Sequence, residues 1–104
     1  MERAMIRYKV KPECAGENEK SIREVFAQLG TENPAGLRYL SFKLGDGLTF
    51  VHIVSREDGA GGNPLMELPA FQAFAAGVKE RCSEPPVATE LCWIGTYGFN
   101  DSRR

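Results

Sequence analysis

Histidine is almost missing from this chain, with His52 the single example among 104 residues. Cysteine is scarce and scattered: Cys14, Cys82 and Cys92 form no CxxC pair and leave an odd count. Together they fall short of any zinc-type constellation of Cys and His, so no metal is expected. The odd cysteine usage fits a reducing compartment. No apolar run approaches the ~18 residues of a membrane span, and no charged-then-apolar leader opens the sequence. The expectation is a soluble, cytoplasmic protein with no membrane partner. A basic surplus is also lacking. The net charge is −1, which argues against a phosphate-backbone binder and hence against nucleic acid as a partner. The glycine-rich stretches Gly45-Asp46-Gly47 and Gly59-Ala60-Gly61-Gly62 lack the strand–loop–helix setting with a lysine that a phosphate cradle needs. No bound cofactor is expected.

What is present is ordinary globular composition, 42% hydrophobic and 26% charged. The length allows one domain over residues 1–104, with a core of about 4–99 and a tail at 100–104. Residues 4–11 alternate, Ile6, Tyr8 and Val10 against Arg7, Lys9 and Lys11, which is the period of a strand. The charges along this strand read as the solvated flank of an edge or half-exposed strand. Pro12 stops it. A helix follows, with Glu17 and Glu19 early where the dipole favours anions. Its stripe is Ile22, Val25, Phe26 and Leu29, and Gly30 is its expected stop. Residues 36–44 and 48–57 form a hairpin about the Gly45-Asp46-Gly47 turn. The return strand is apolar on both faces, as in a central, doubly covered strand. Residues 55–64 read as a polar connection or a lid.

The second helix opens at Pro69 and carries Phe71, Phe74, Ala75, Val78 and Cys82, with a short turn expected at Pro64–Glu67. Ser83-Glu84-Pro85-Pro86 breaks the chain, and a long last strand is expected from about Val87 to Phe99. It too is apolar on both faces. The order β-α-β-β-α-β predicts an α+β, ferredoxin-like fold: an antiparallel sheet with both helices on one face. The apolar surface left on the other face predicts a sheet-to-sheet homodimer closing an α+β barrel.

Three segments point to a family. They are Val10-Lys11-Pro12 closing strand one, Pro69-Ala70-Phe71-Gln72-Ala73-Phe74 opening helix two, and Glu84-Pro85-Pro86-Val87 before the last strand. With this element order, residues 4–98 resemble the dimeric α+β barrel superfamily, in particular the antibiotic-biosynthesis-monooxygenase (ABM)-like family. The resemblance implies a cofactor-independent monooxygenase, or a related enzyme, acting on a small aromatic or hydrophobic metabolite. The alternatives are a non-catalytic ligand-binding or accessory protein, and a scaffold whose only partner is itself. Members of the family often keep histidines at positions that correspond to Leu65 and Ala70 here. Both are apolar, and helix two has no tryptophan, which argues against haem cleavage and weakens the case for oxygenation.

His52 is the candidate catalytic residue. Facing a cavity, its near-neutral unperturbed pKa suits a general base toward a phenol or quinol; facing the interior, it is a satisfied structural group. Tyr8, Tyr39, Phe71 and Phe74 are the candidate ligand-binding residues, with core packing as the rival role. Trp93 and Tyr97 either stack on a flat ligand or anchor a dimer seam. Arg7 and Arg38 pair with an anionic ligand or with solvent and surface carboxylates. Cys82 and Cys92 read as small core hydrophobes.

Overall fold

The computed structural model describes residues 2–57 and 64–99. Strand β1 (Glu2–Val10) leads through a 3-10 turn (Pro12–Cys14) into helix α1 (Ala15–Glu32). Strands β2 (Leu37–Lys43) and β3 (Thr49–Arg56) form the hairpin. A second 3-10 turn (Pro64–Glu67) precedes helix α2 (Pro69–Arg81), and strand β4 (Cys82–Glu90) follows it directly. The four strands pair antiparallel in the order β2-β3-β1-β4. This is the β-α-β-β-α-β, ferredoxin-like arrangement that the periodicities predict. Of the 55–64 connection, residues 58–63 lie outside the described residues, as does the 100–104 tail.

The core forms where Tyr8 and Val10 of β1 and Phe50 of β3 meet Ile22 and Val25 of α1, Leu65 and Leu68, and Phe74 and Val78 of α2. The Gln28 side chain ties the two helices by accepting from the Ala70 N–H at 2.8 Å. In the hairpin turn, Asp46 Oδ1 accepts from the N–H groups of Leu48 and Thr49, and Oδ2 accepts from the Thr49 hydroxyl. The aspartate satisfies the backbone two and three residues on, and Gly47, left-handed at φ 74, completes the reversal with its N–H on the Leu44 carbonyl.

Several boundaries depart from expectation. Gly30 does not end α1; the helix runs to Glu32 and closes on Asn33, left-handed at φ 47, whose N–H returns to the Leu29 carbonyl. Asparagine is the residue that tolerates this conformation best after glycine. Strand β1 is not an edge. It lies between β3 and β4, and its Arg3, Arg7 and Lys9 occupy the face away from the helices. The last strand covers 82–90 rather than 87–99. Cys82 pairs with Val10 as soon as α2 ends, so antiparallel pairing reaches Ala4↔Glu90 near the start of β1. The Leu91 N–H makes one more bond, to the Arg3 carbonyl, and only Glu2 of β1 lies beyond it. Pro85 and Pro86 sit inside β4, which is tolerated because β4 is an edge strand and its register shifts there. Within α2, Ala75 is exposed and Arg81 takes the buried position of the stripe.

The helices cover one sheet face only. On the other, Leu40, Phe42 and Val87 are each more than half exposed, at 54%, 51% and 61%. Phe50→Ala empties the most enclosed large side chain, and urea denaturation is expected to show a loss of about 3–5 kcal/mol. Met66→Ala, at an exposed site, is expected to stay within about 0.5 kcal/mol in the same measurement.

Candidate functional site

Alternation along the strands decides which side chains meet beneath the helices. On β3, Phe50, His52 and Val54 share the covered face with Ile6, Tyr8 and Val10 of β1 and Leu37, Tyr39 and Ser41 of β2. Ser41 lies directly opposite His52, while Tyr8 and Tyr39 pair with Phe50 and Val54 and so reach His52 along the diagonals. The result is a histidine sandwiched between two tyrosine rings, at centroid distances of 5.4 Å from Tyr8 and 5.7 Å from Tyr39. Phe74 closes the site from α2 at 5.5 Å from His52, and Phe71 packs edge-on to Tyr39.

Both imidazole nitrogens are engaged. Nε2 lies 2.8 Å from the Tyr8 hydroxyl; Nδ1 lies 2.8 Å from the Tyr39 hydroxyl and 2.7 Å from that of Ser41. The chain of contacts continues inward. The Asn18 amide donates to the Tyr8 oxygen at 2.9 Å, and Arg81 Nε donates to Asn18 Oδ1 at 3.0 Å. All four of Tyr8, His52, Asn18 and Arg81 are buried. Among the described residues no carboxylate pairs with Arg81. Its guanidinium instead lies over the Phe74 ring at 5.6 Å and makes a long 3.5 Å contact to the Phe74 carbonyl. The guanidinium folds back over Gly77, where a Cβ would come within 2.6 Å of Nη1. Glycine at 77 therefore makes the room that the buried guanidinium occupies.

Burial sets the protonation states. It holds the His52 imidazole down at about 4, so the ring is neutral at physiological pH. Burial pushes the Tyr39 phenol up to about 12, against a smaller opposing effect of the Ser41 hydroxyl. Tyr8 is raised further, again by burial, with the Asn18 amide opposing. Both tyrosines remain protonated donors.

Tyr39 also lines a pocket of about 310 Å³ at the C-terminal end of α1, together with Phe26, Leu29, Pro34 and Leu37. Phe26 stacks on Tyr39 at 5.2 Å. The candidates His52, Tyr8, Tyr39, Phe71 and Phe74 thus form one cluster. Leu65 is core, and Ala70 is half-buried at the start of α2. Trp93 and Tyr97 belong to the opposite side of the sheet. There the stretch 91–99 borders a groove of about 950 Å³ with Leu40 and Ile53, and the Arg3 guanidinium stacks on Trp93 at 4.4 Å. Arg38 is on that side as well. Cys92 is exposed rather than part of the core, because β4 ends before it; Cys82 is half-buried, with its thiol raised by burial. No cluster of three potential metal ligands occurs among the described residues.

Asn18, Ser41 and Arg81 are site residues that sequence reasoning misses, though spacing marks two of them. Asn18 precedes Ile22 by four on the α1 stripe, and Arg81 follows Val78 by three on that of α2.

The architecture has clear counterparts among solved structures. An antibiotic biosynthesis monooxygenase superposes with a TM-score of 0.74 at 17% identity, covering 91% of this chain and 100% of that one. The chain has the antibiotic biosynthesis monooxygenase fold. SnoaB, a cofactor-independent oxygenase from Streptomyces nogalater, shares the ABM fold with a TM-score of 0.68, 15% identity and coverage of 93% and 96%. A Nitrosomonas europaea protein of unknown function does so with a TM-score of 0.65, 20% identity and coverage of 93% and 95%. No family model and no curated protein matches the sequence. The ABM fold is therefore common to an oxygenase and to a protein without assigned activity, and the chemistry has to be argued from the side chains.

The neutral state of His52 has a measurable consequence. An unfolded chain takes up the histidine proton below about 6.5, and the folded one only near 4. Between these values the unfolded state binds more protons, so stability falls as pH drops through the window and levels off below it. The loss is at most roughly 3 kcal/mol. Urea denaturation of the wild type and His52→Gln across pH 4 to 7 should show their difference in stability growing with pH up to about 6.5, then becoming flat.

Proposed function

We propose that the chain binds a small aromatic or hydrophobic metabolite beside Tyr39 and acts on it as a cofactor-independent monooxygenase. One observation carries this reading: Tyr39 belongs both to the wall of an apolar pocket and to the hydrogen-bonded cluster around His52. Pockets of this size, apolar with few polar groups, are the usual form of a small-molecule site. In such a reaction the substrate is itself the reductant. A phenol with a ring C–H and O2 give a quinone and water: one oxygen atom joins the ring carbon, and the other leaves with two hydrogens. The protein's task is to hold the substrate oxygen as it gains negative charge. His52, the candidate base, touches no ligand in this reading; it holds the Tyr39 hydroxyl in position by a hydrogen bond at Nδ1. Phe71, by its edge-on contact with Tyr39, helps to hold that ring in place, and Phe74 does the same for His52.

A second reading, binding without turnover, is favoured by the complete internal satisfaction of His52 and its low basicity. The two separate on a panel of quinols and polyketide-like phenols followed by melting temperature and absorbance. The oxygenase reading expects a bound phenol to be consumed with uptake of O2, and the rate to fall at least tenfold in Tyr39→Phe. Binding with no consumption of any phenol would leave the second reading.

We further propose that a second copy of the chain covers the open sheet face. The groove lined by Leu40, Ile53, Trp93, Ile94 and Tyr97 is largely apolar, and exposed Phe42 shares its sheet face. A patch of that kind is unusual on a monomer, and a twofold contact of sheet on sheet would bury it on both copies. Light scattering at micromolar concentration is expected to give twice the 11.5 kDa chain mass. Leu40→Glu with Phe42→Glu should return it to the single-chain mass, and a monomeric wild type would overturn the dimer.

A further inference from the structure

We infer that the buried chain Arg81–Asn18–Tyr8–His52 is polarised in one direction, so that the site presents hydrogen-bond donors and takes its ligand through an acceptor oxygen, a carbonyl or a phenolate. This rests on the proposed binding site beside Tyr39.

The direction follows from the chemistry of the groups. A guanidinium only donates, so the Asn18 atom that faces Arg81 Nε must be the carbonyl oxygen. The Asn18 amide nitrogen then faces Tyr8 and can only donate to the phenol oxygen. Among the described residues, the one acceptor left within reach of the Tyr8 hydroxyl proton is His52 Nε2. A neutral imidazole that accepts at Nε2 carries its proton at Nδ1. The Nδ1–H therefore donates to the hydroxyl oxygens of Ser41 and Tyr39. Each link donates to the next, beginning at Arg81.

The reverse polarity is costly. If His52 donated from Nε2, Tyr8 would accept from both Asn18 and His52, and its own buried hydroxyl proton would have no acceptor. The same holds for a doubly protonated His52, in accord with its low basicity. With Tyr39 accepting from His52, its own O–H is the donor that the site offers, and cooperative polarisation along the chain strengthens that donor. Asn18 and Arg81 are positioning residues in this account: they touch no ligand but select the histidine tautomer.

The direction is measurable without any ligand. Two-dimensional 15N–1H correlation of the imidazole at pH 7 should show His52 as the Nδ1–H tautomer, the less common one in solution. Asn18→Asp, nearly isosteric, replaces the amide donor by a second acceptor oxygen. Tyr8 then donates to the introduced carboxylate, and His52 should switch to the Nε2–H tautomer. A wild type in the Nε2–H form overturns the polarity, and that measurement needs no variant to fold. An unchanged tautomer in folded Asn18→Asp overturns control by Asn18. For the ligand, the probes are 1,4-naphthoquinone and naphthalene, matched in size. Tyr39→Phe should weaken the quinone about tenfold, the scale of one hydrogen bond, and leave naphthalene unchanged. Equal weakening of both overturns the acceptor-oxygen claim. If the wild type is Nδ1–H but neither probe binds, the binding-site reading fails while the polarity stands.

Discussion

A guanidinium buried with no carboxylate partner among the described residues is the constraint around which this fold is arranged. Such a charge is costly unless hydrogen bonds and polarisable surface replace its water. Here Asn18 supplies an oxygen, Phe74 a ring face and a carbonyl, and Gly77 the space. The Arg81 backbone serves the same corner, since its carbonyl accepts from the Lys11 N–H at 2.8 Å. One residue thus joins the end of β1, the first turns of α1 and the end of α2. It also marks the point where helix gives way to strand, because β4 starts at Cys82.

From that corner the polar contacts run into the sheet instead of out to solvent. Tyr8 carries them across β1 and His52 across β3, and they reach the half-buried Tyr39 and Ser41 on β2. No buried side-chain polar atom among the described residues is left without a partner. A fully satisfied network of this kind can specify one arrangement of a core that packing alone would leave adaptable. The same satisfaction engages both nitrogens of His52 and leaves Tyr39 as the member of the network that also lines the pocket at the end of α1.

Much of the architecture is legible in the residues. Alternation of Ile6, Tyr8 and Val10, the stripes of α1 and α2, and the Gly45-Asp46-Gly47 turn lead to the observed element order. The departures have physical causes. The basic residues of β1 suggest an edge or a half-exposed strand, and the second holds: charge on one parity of a central strand needs only that its face be uncovered by helices. The apolar run 87–99 looks like strand throughout, but the length of a strand is limited by its partner, and only Glu2 and Arg3 of β1 lie beyond the residue that pairs with Glu90. Arg81 is invisible as a site residue because arginine is so seldom buried; its place on the Phe74–Val78 stripe is the available sign.

By itself the sequence determined the order and type of the elements, since hydrophobic period and turn chemistry are local properties. It also offered one histidine, with tyrosines on strands one and two, as candidates for polar chemistry in the core. Which face of β3 turns toward the helices was left to the tertiary structure. A strand apolar on both sides carries no local preference, and only its register with β1 and β2 sets His52 against Tyr8, Tyr39 and Ser41. The direction of the hydrogen bonds was likewise decided in three dimensions, by a donor 29 positions further along the chain that folding brings to the far end of the same line.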